Sequence, residues 1–274
     1  MNIDLLQTSK LGKATTYPNQ YDPSWLFPIP RQQGRAALKV PEPKPFAGVD
    51  LWNSYEFSWL LSSGKPQMAI VQFCFQDDST YLLESKSLKL YLNSFSLTRF
   101  PNAQAVQKTL EEDLSKAAEG QVSIKFILPD EFSAQGHHEF SGVCLDDLDI
   151  AIDSYQLNPD FLCTEATRAT ETFYTHLFKA NCPVTGQPDW ASIWIRYSGK
   201  KIQHEGLLKY LVSYREQKEF HEQCVERIFM DLVNHCQPEK LSVYGHFCRR
   251  GGLDINPFRS NFETAPEKFH LFRQ

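Results

Sequence analysis

Leu88-Lys89-Leu90-Tyr91, closing on Phe100, returns 120 residues downstream as Leu208-Lys209-Tyr210-Leu211, closing on Phe220. Two more anchors keep the same order. Gly64-Lys65-Pro66-Gln67 pairs with Gly186-Gln187-Pro188-Asp189 at an offset of 122, and Val122-Ser123-Ile124 pairs with Leu241-Ser242-Val243 at 119. Anchors at nearly constant spacing mark two diverged homologous halves. Each half reads alike: a Gly-Pro turn, a strand-like run (Met68 to Phe75; Ala191 to Tyr197), a helical segment, a clearer helix and a closing strand pair. Alternation in Ser192-Ile193-Trp194-Ile195-Arg196-Tyr197 suits a strand with one wet face.

The clearer helices separate the halves. From about Glu219 to Cys236, Val225, Ile228, Phe229, Leu232, Val233 and Cys236 form the stripe of a core-facing helix. His221 and Glu222 lie one turn ahead of it and can point to the buried side. The counterpart, about Ala103 to Ala118, buries Val106, Leu110 and Leu114 but opens without a His-Glu pair.

Working outward, three domains are expected: residues 1–45, 46–155 and 156–274. The first holds seven of the sixteen prolines, so it should be an extended arm, pinned by Tyr17, Tyr21, Trp25 and Phe27. Between the halves, Cys144-Leu145-Asp146-Asp147-Leu148-Asp149-Ile150-Ala151-Ile152-Asp153 alternates acidic and apolar residues. It lacks the glycine and terminal glutamate of an EF-hand loop and reads as a charge-protected edge strand.

Composition narrows the classes. Hydrophobic residues at 42% and charged residues at 22% predict a buried core rather than disorder. A net charge of −5 argues against non-specific nucleic-acid binding. No apolar run reaches the roughly 18 residues of a spanning helix, and Met1-Asn2-Ile3-Asp4-Leu5-Leu6-Gln7 has neither a basic nor an apolar leader region. The seven cysteines are odd in number and include no Cys-x-x-Cys, which fits reduced thiols in a cytoplasmic protein and argues against a metal site.

Three islands carry chemistry. Cys182, between Asn181 and Pro183, sits in a turn rather than on an apolar stripe; Cys224 and Cys236 lie on the helix and Cys74 in a strand, as small buried hydrophobes would. Asp189 is either turn chemistry or a general acid near Cys182 across a hairpin. His221-Glu222 lacks the second histidine of a zinc motif. Its carboxylate is either a helix-start charge or an acceptor for the N–H edge of a guanine-like ring. Glu84-Ser85-Lys86-Ser87-Leu88-Lys89, on composition a solvated charged turn, could join Arg249-Arg250-Gly251-Gly252 as a phosphate surface. No Gly-x-Gly-x-x-Gly occurs, so a Rossmann nucleotide fold is not supported. These residues alone leave a reductase, a cysteine-dependent nitrile or amide hydrolase and a non-catalytic purine-binding module all open.

At these residues the whole chain resembles the NADPH-dependent 7-cyano-7-deazaguanine reductases of queuosine biosynthesis, in their long two-domain form. Glu84-Ser85-Lys86-Ser87-Leu88-Lys89-Leu90-Tyr91 is similar to the family's signature, and Cys182, Asp189 and His221-Glu222 fall at matching positions. The resemblance implies an α+β chain of two tandem tunnelling-fold (T-fold) units, antiparallel sheets each carrying two helices on one face. It implies reduction of the nitrile to a primary amine with two NADPH. Cys182 would be the nucleophile, Asp189 the proton donor and His221 an aid to hydride transfer. Leu83, Glu84, Ser85, His221 and Glu222 would bind the deazapurine, and Ser85, Lys86, Arg250 and Gly251 would contact NADPH. A homodimer with no metal, no direct nucleic-acid contact and no membrane anchor is the implied state.

Overall fold

A computed structural model of the chain describes residues 17–264 and 270–274; the opening stretch Met1-Asn2-Ile3-Asp4-Leu5-Leu6-Gln7 lies outside them. The chain forms two compact units, each discontinuous in sequence. Unit 1 takes residues up to Ala37 with Asp50–Gly136 and Arg249–Asp254; unit 2 takes Leu38–Val49, His137–Cys248 and Ile255–Gln274. Contiguous boundaries at 45 and 155 do not coincide with these units, because antiparallel partners are chosen by hydrogen bonding rather than by sequence adjacency.

Unit 1 contains β1 (Pro28–Pro30), α1 (Arg31–Ala37), β2 (Ala47–Leu61, from Asp50 on), β3 (Pro66–Gln76), β4 (Tyr81–Leu83), α2 (Ser85–Asn93), β5 (Arg99–Phe100), α3 (Ala103–Ala118) and β6 (Val122–Ile127). β2, β3 and β6 are sheet neighbours, and β3 and β6 pair antiparallel from Ile70↔Ile127 to Phe75↔Val122. Unit 2 contains β7 (Val143–Cys144), β8 (Thr164–Asn181), β9 (Pro188–Ile202), α4 (His204–Val212), α5 (His221–Cys236), β10 (Lys240–Phe247) and β11 (Leu253–Ser260, from Ile255 on). Its long strands β8, β9, β10 and β11 are each antiparallel to the next. The chain is therefore α+β, with antiparallel sheets and two principal helices per unit.

The units repeat one plan: hairpin, short helix, long helix, strand. α3 and α5 are both 16 residues long, and both end on a left-handed residue, Glu119 and Gln237. Hairpin turns at Gly64 and Gly186 share a positive φ. Tyr91 Oη donates to Asp113 at 2.6 Å, and Tyr210 Oη donates to Asp231 at 2.7 Å. Ser94 and Ser213 each donate to the carbonyl of the tyrosine three residues earlier. These matches align Tyr91 with Tyr210, one residue away from the register expected from Leu88 and Leu208. Shared tyrosines and caps, not leucine identity, set the true register.

The proline-rich stretch is not wholly an extended arm. Its prolines flank a proline-free helix, α1, in which Arg31 and Arg35 are buried, and Pro30 precedes that helix where its missing N–H costs nothing. Arg31 binds Asp50 at 2.6 Å. Tyr21 does pin the segment, donating to Asp113 at 2.7 Å and packing edge-on against Phe95, whereas Tyr17 is exposed. The stretch also belongs to the repeated plan. Asp22 caps the single turn Pro23–Trp25, as Asn158 caps Pro159–Phe161. Asp22 and Asn158 then donate their backbone N–H to Ser94 and Ser213.

The acidic segment 144–153 is not an edge strand along its length. Only Val143–Cys144 pairs, parallel to Phe173–Tyr174 of β8. Asp146 turns the chain by accepting from Thr175 Oγ1 and from His176 N at 2.9 Å, while Leu148, Ile150 and Ile152 pack against the core. Its apolar residues serve side-chain packing, and its first acid serves backbone donors.

The core of unit 2 lies between its sheet and α5. Val225, Ile228, Phe229, Leu232 and Cys236 are buried there with Ile193, Ile195 and Val243. Burying each large side chain contributes roughly 1.5–3 kcal/mol, enough to fix the helix that carries His221 and Glu222. In unit 1, Val106, Leu110, Leu114 and Ala118 hold α3 in the same manner.

Candidate active site

The β8–β9 hairpin delivers Cys182. Ala180 pairs with Asp189 and Asn181 with Pro188, and Cys182 N then donates to Gln187 O at 2.8 Å while its carbonyl accepts from Gly186 at 3.0 Å. Residues opposite one another in an antiparallel pair share a face, as do alternate residues along a strand. Cys182 and Asp189 are therefore diagonal neighbours on the core-facing side, both buried. The turn does not expose the sulfur freely: Cys182 is only 3% exposed.

α5 delivers the other two groups at its first turn. His221 Nε2 lies 3.3 Å from Asp189 Oδ2. Its ring stacks on Phe247 with centroids 3.9 Å apart and planes 11° from parallel. Phe247 pairs with Ala191 across the β9–β10 ladder, on the same face as Asp189. The imidazole is thus held on one edge and one side, while buried Nδ1 has no hydrogen-bond partner among the described residues. Glu222 follows, 4% exposed, where the helix N-terminus favours a negative charge.

The neighbouring thiols are poorly suited to nucleophilic work. Burial, with the charges of Glu219 and Asp189 nearby, pushes the Cys224 thiol well up. Burial pushes Cys236 up to about 12. Both sulfurs stay neutral packing groups, as their places on the helical stripe predict.

The signature island lies in unit 1, and it is a helix start rather than a solvated turn. Glu84 is 1% exposed and caps α2, accepting from Lys86 N at 2.7 Å and Ser87 N at 2.8 Å. Burial raises its pKa, opposed by those two N–H groups and by Lys89 and Lys86. Leu83 is buried and pairs with Pro28, and Ser85 opens the helix. The Arg249-Arg250-Gly251-Gly252 stretch comes to the same unit. Gly251 and Gly252 have φ of +60° and +80°, and Arg250 N donates to Leu253 O at 2.8 Å, so the turn needs two left-handed residues. A Cβ on Gly251 would sit 3.3 Å from Lys89 Nζ, which places the turn's bare backbone beside the helix. Arg249 lies over the Tyr55 ring at 3.5 Å. Bare backbone with cations on both sides suits a phosphate-bearing ligand.

The structure thus brings Cys182, Asp189 and His221 to one end of the β8–β9 hairpin in unit 2, with Glu222 next to His221 along α5. It gathers Leu83, Glu84, Ser85, Lys86, Arg250 and Gly251 in unit 1. Phe247 was not foreseen: it reads as an ordinary strand-end aromatic, and nothing local marks it as a partner of His221. Among the described residues, no group of three or more His, Cys, Asp or Glu side chains is arranged to hold a metal ion, and no helix is long and apolar enough to cross a membrane.

Comparison with known proteins finds two matched stretches of the chain. Residues 17–126 match the family described as "Nitrile reductase, 7-cyano-7-deazaguanine-reductase N-term", and residues 188–266 match "QueF-like protein". Cys182 falls between the two matched stretches. The chain is 54% identical over 262 residues to the NADPH-dependent 7-cyano-7-deazaguanine reductase of Bordetella parapertussis, covering 95% of this chain and 96% of that one. It is 51% identical to the enzyme of that name from Cupriavidus necator, covering 96% of both chains, and 52% identical to that of Coxiella burnetii, covering 98% of both.

Proposed function

The chain belongs to the NADPH-dependent 7-cyano-7-deazaguanine reductase family, and from that premise we propose how its residues reduce a nitrile. The observation that carries the reading is the convergence of Cys182, Asp189 and His221 at one end of the β8–β9 hairpin, with His221 3.3 Å from Asp189. The Cys182 thiolate adds to the nitrile carbon, forming a C–S bond as one C–N π bond breaks. Asp189 delivers a proton to the nitrogen, leaving a covalent thioimide. NADPH, when bound, supplies a hydride for each of the two reductions. After the first, the C–S bond breaks and Cys182 departs as thiolate, leaving an imine. His221, held by Asp189 and Phe247, steadies the reacting carbon's surroundings and relays the protons that complete the amine.

Glu222 binds the N–H edge of the deazapurine as a charge-assisted acceptor. Leu83, Glu84 and Ser85 also contact the base, and Ser85, Lys86, Arg250 and Gly251 hold NADPH. The glycine turn beside Lys89 supports that cofactor assignment, since side chains there would close the approach to the backbone. The working form is a cytoplasmic homodimer without direct nucleic-acid contact.

The test is loss of NADPH absorbance on mixing the protein with 7-cyano-7-deazaguanine, beside Cys182→Ala. Oxidation of two NADPH per nitrile by the wild type alone is the expected outcome, with the variant slowed by more than roughly 1000-fold. A thioimide mass adduct with no NADPH oxidation would favour the hydrolase. Unchanged purine affinity with neither adduct nor oxidation would favour a binding module.

A further inference from the structure

We propose that Glu219 and Arg227 form a positioning pair that sets Cys182 against the start of the helix bearing His221 and Glu222; this deepens the reductase reading and rests on it. Asn181, the residue before Cys182, donates its N–H to Gln217 O at 2.9 Å and accepts from Glu219 N at 3.2 Å. Its side-chain amide adds bonds to Arg215 O at 2.8 Å and Gln217 O at 3.3 Å. The segment leading into α5 is therefore laced to the nucleophile's strand.

Glu219 carries the tie onward. Its carboxylate, 7% exposed, accepts from Arg227 Nε at 2.9 and 3.0 Å and also from Nη2. One residue thus grips the Cys182 strand through its backbone and the second turn of α5 through its side chain. The first turn of α5 is also held at its side chains, by Asp189 and Phe247 around His221, but its cap is weak. Phe220 at the N-cap offers no side-chain oxygen, and Gln223 reaches back to its N–H at 3.3 Å. A first turn without a capping oxygen from its N-cap gains from a tie on either side of it, and here that turn carries His221 and Glu222.

Unit 1 acts as an internal control. Taking α3 and α5 as equivalent, the positions of Glu219 and Arg227 hold Pro101 and Thr109, and those of His221 and Glu222 hold Ala103 and Gln104. The same fold unit is built without the pair where it carries no thiol site. That coincidence favours a role in aligning the site over a requirement of the fold. A guanidinium fork holds a carboxylate in one orientation, which a lysine does not.

The experiment compares full-length wild type with Glu219→Gln and Arg227→Lys, reading two rates. One is formation of the mass adduct with 7-cyano-7-deazaguanine without NADPH. The other is alkylation of Cys182 by iodoacetamide, which needs the thiol but no alignment with the helix. Adduct formation should slow about tenfold or more while alkylation stays within about threefold of wild type, with melting temperature unchanged or slightly lowered. Adduct rates near wild type in either folded variant would overturn the proposal. So would a parallel fall of both rates with loss of the melting transition in both variants, which would mark the pair as purely structural. If one variant fails to fold, the other decides. A wild type that forms no adduct would instead remove the reductase reading, and this role with it.

Discussion

Units 1 and 2 are two uses of one plan, and the difference lies in a few positions. At the hairpin exit, unit 1 has Leu61 and Gln67 where unit 2 has Cys182 and Asp189, with matching bonds: Leu61 N to Lys65 O at 2.9 Å and Cys182 N to Gln187 O at 2.8 Å. Even the parallel contacts after the turn correspond, Leu60↔Arg99 in one unit and Asn181↔Lys218 in the other. Unit 2 diverged toward a thiol, a carboxylate and an imidazole along one buried edge. Unit 1 diverged toward a buried helix-capping acid, Glu84, where unit 2 has Gln203 with no side-chain cap bond. A shared scaffold tolerates both, because the Tyr–Asp bonds and apolar stripes that hold it are elsewhere.

Replacing unit 2's chemistry probes that contrast most strongly. Asp189→Asn removes the proton that Gln67 could never supply in unit 1. It should lower kcat by about 1000-fold with little change in KM for NADPH, measured by steady-state absorbance. An effect under tenfold would return Asp189 to turn chemistry.

Acid stability separates the units next. Burial holds the His246 imidazole of unit 2 down at about 4 from 6.5, so the folded chain binds that proton more weakly than the unfolded chain does. Its contribution is complete above about pH 6.5 and is lost as pH falls toward about 4, a fall of about 3 kcal/mol. In His246→Gln the loss of stability between pH 7 and pH 4.5 should be shallower than in wild type, read by urea unfolding at each pH. An identical slope would refute the assignment.

Glu222→Gln installs the residue that unit 1 carries, Gln104. Loss of a charge-assisted acceptor should raise KM for the nitrile about 10- to 100-fold, with a smaller effect on alkylation of Cys182. Equal KM values would move recognition of the purine edge to another residue. Smallest is a test of what the units share. Tyr91→Phe and Tyr210→Phe should each cost about 1–2 kcal/mol in stability. Tyr210→Phe should cost more, since Asp113 keeps a bond from Tyr21 while Tyr210 also bonds Tyr214.

Much of this was legible in the chain itself. The repeat followed from three anchors, and the helix of Ala103–Ala118 and most of His221–Cys236 followed from apolar spacing, because a buried stripe must recur with the helical period. Cys182 stood apart from Cys224 and Cys236 because turn and stripe leave different local patterns. Misreadings arose where a side chain's partner is far away in sequence. Glu84 looked solvated because its burial depends on Phe27 and the start of α2, and the proline-rich stretch looked like an arm because Tyr21 meets Asp113 across 92 residues.

By itself, then, the sequence determined a duplicated chain of strands and helices, the apolar faces of its long helices and a thiol set apart in a turn, while the nitrile chemistry entered through the family resemblance. The duplication, the helix faces and the turn thiol depend on spacing and periodicity, which are local. Only the tertiary structure decided that His221 meets Asp189, that Phe247 stacks on the imidazole and that Glu219 joins the strand of Cys182 to α5. Each is a contact between residues that chain order leaves apart, and strand register and helix packing choose such partners.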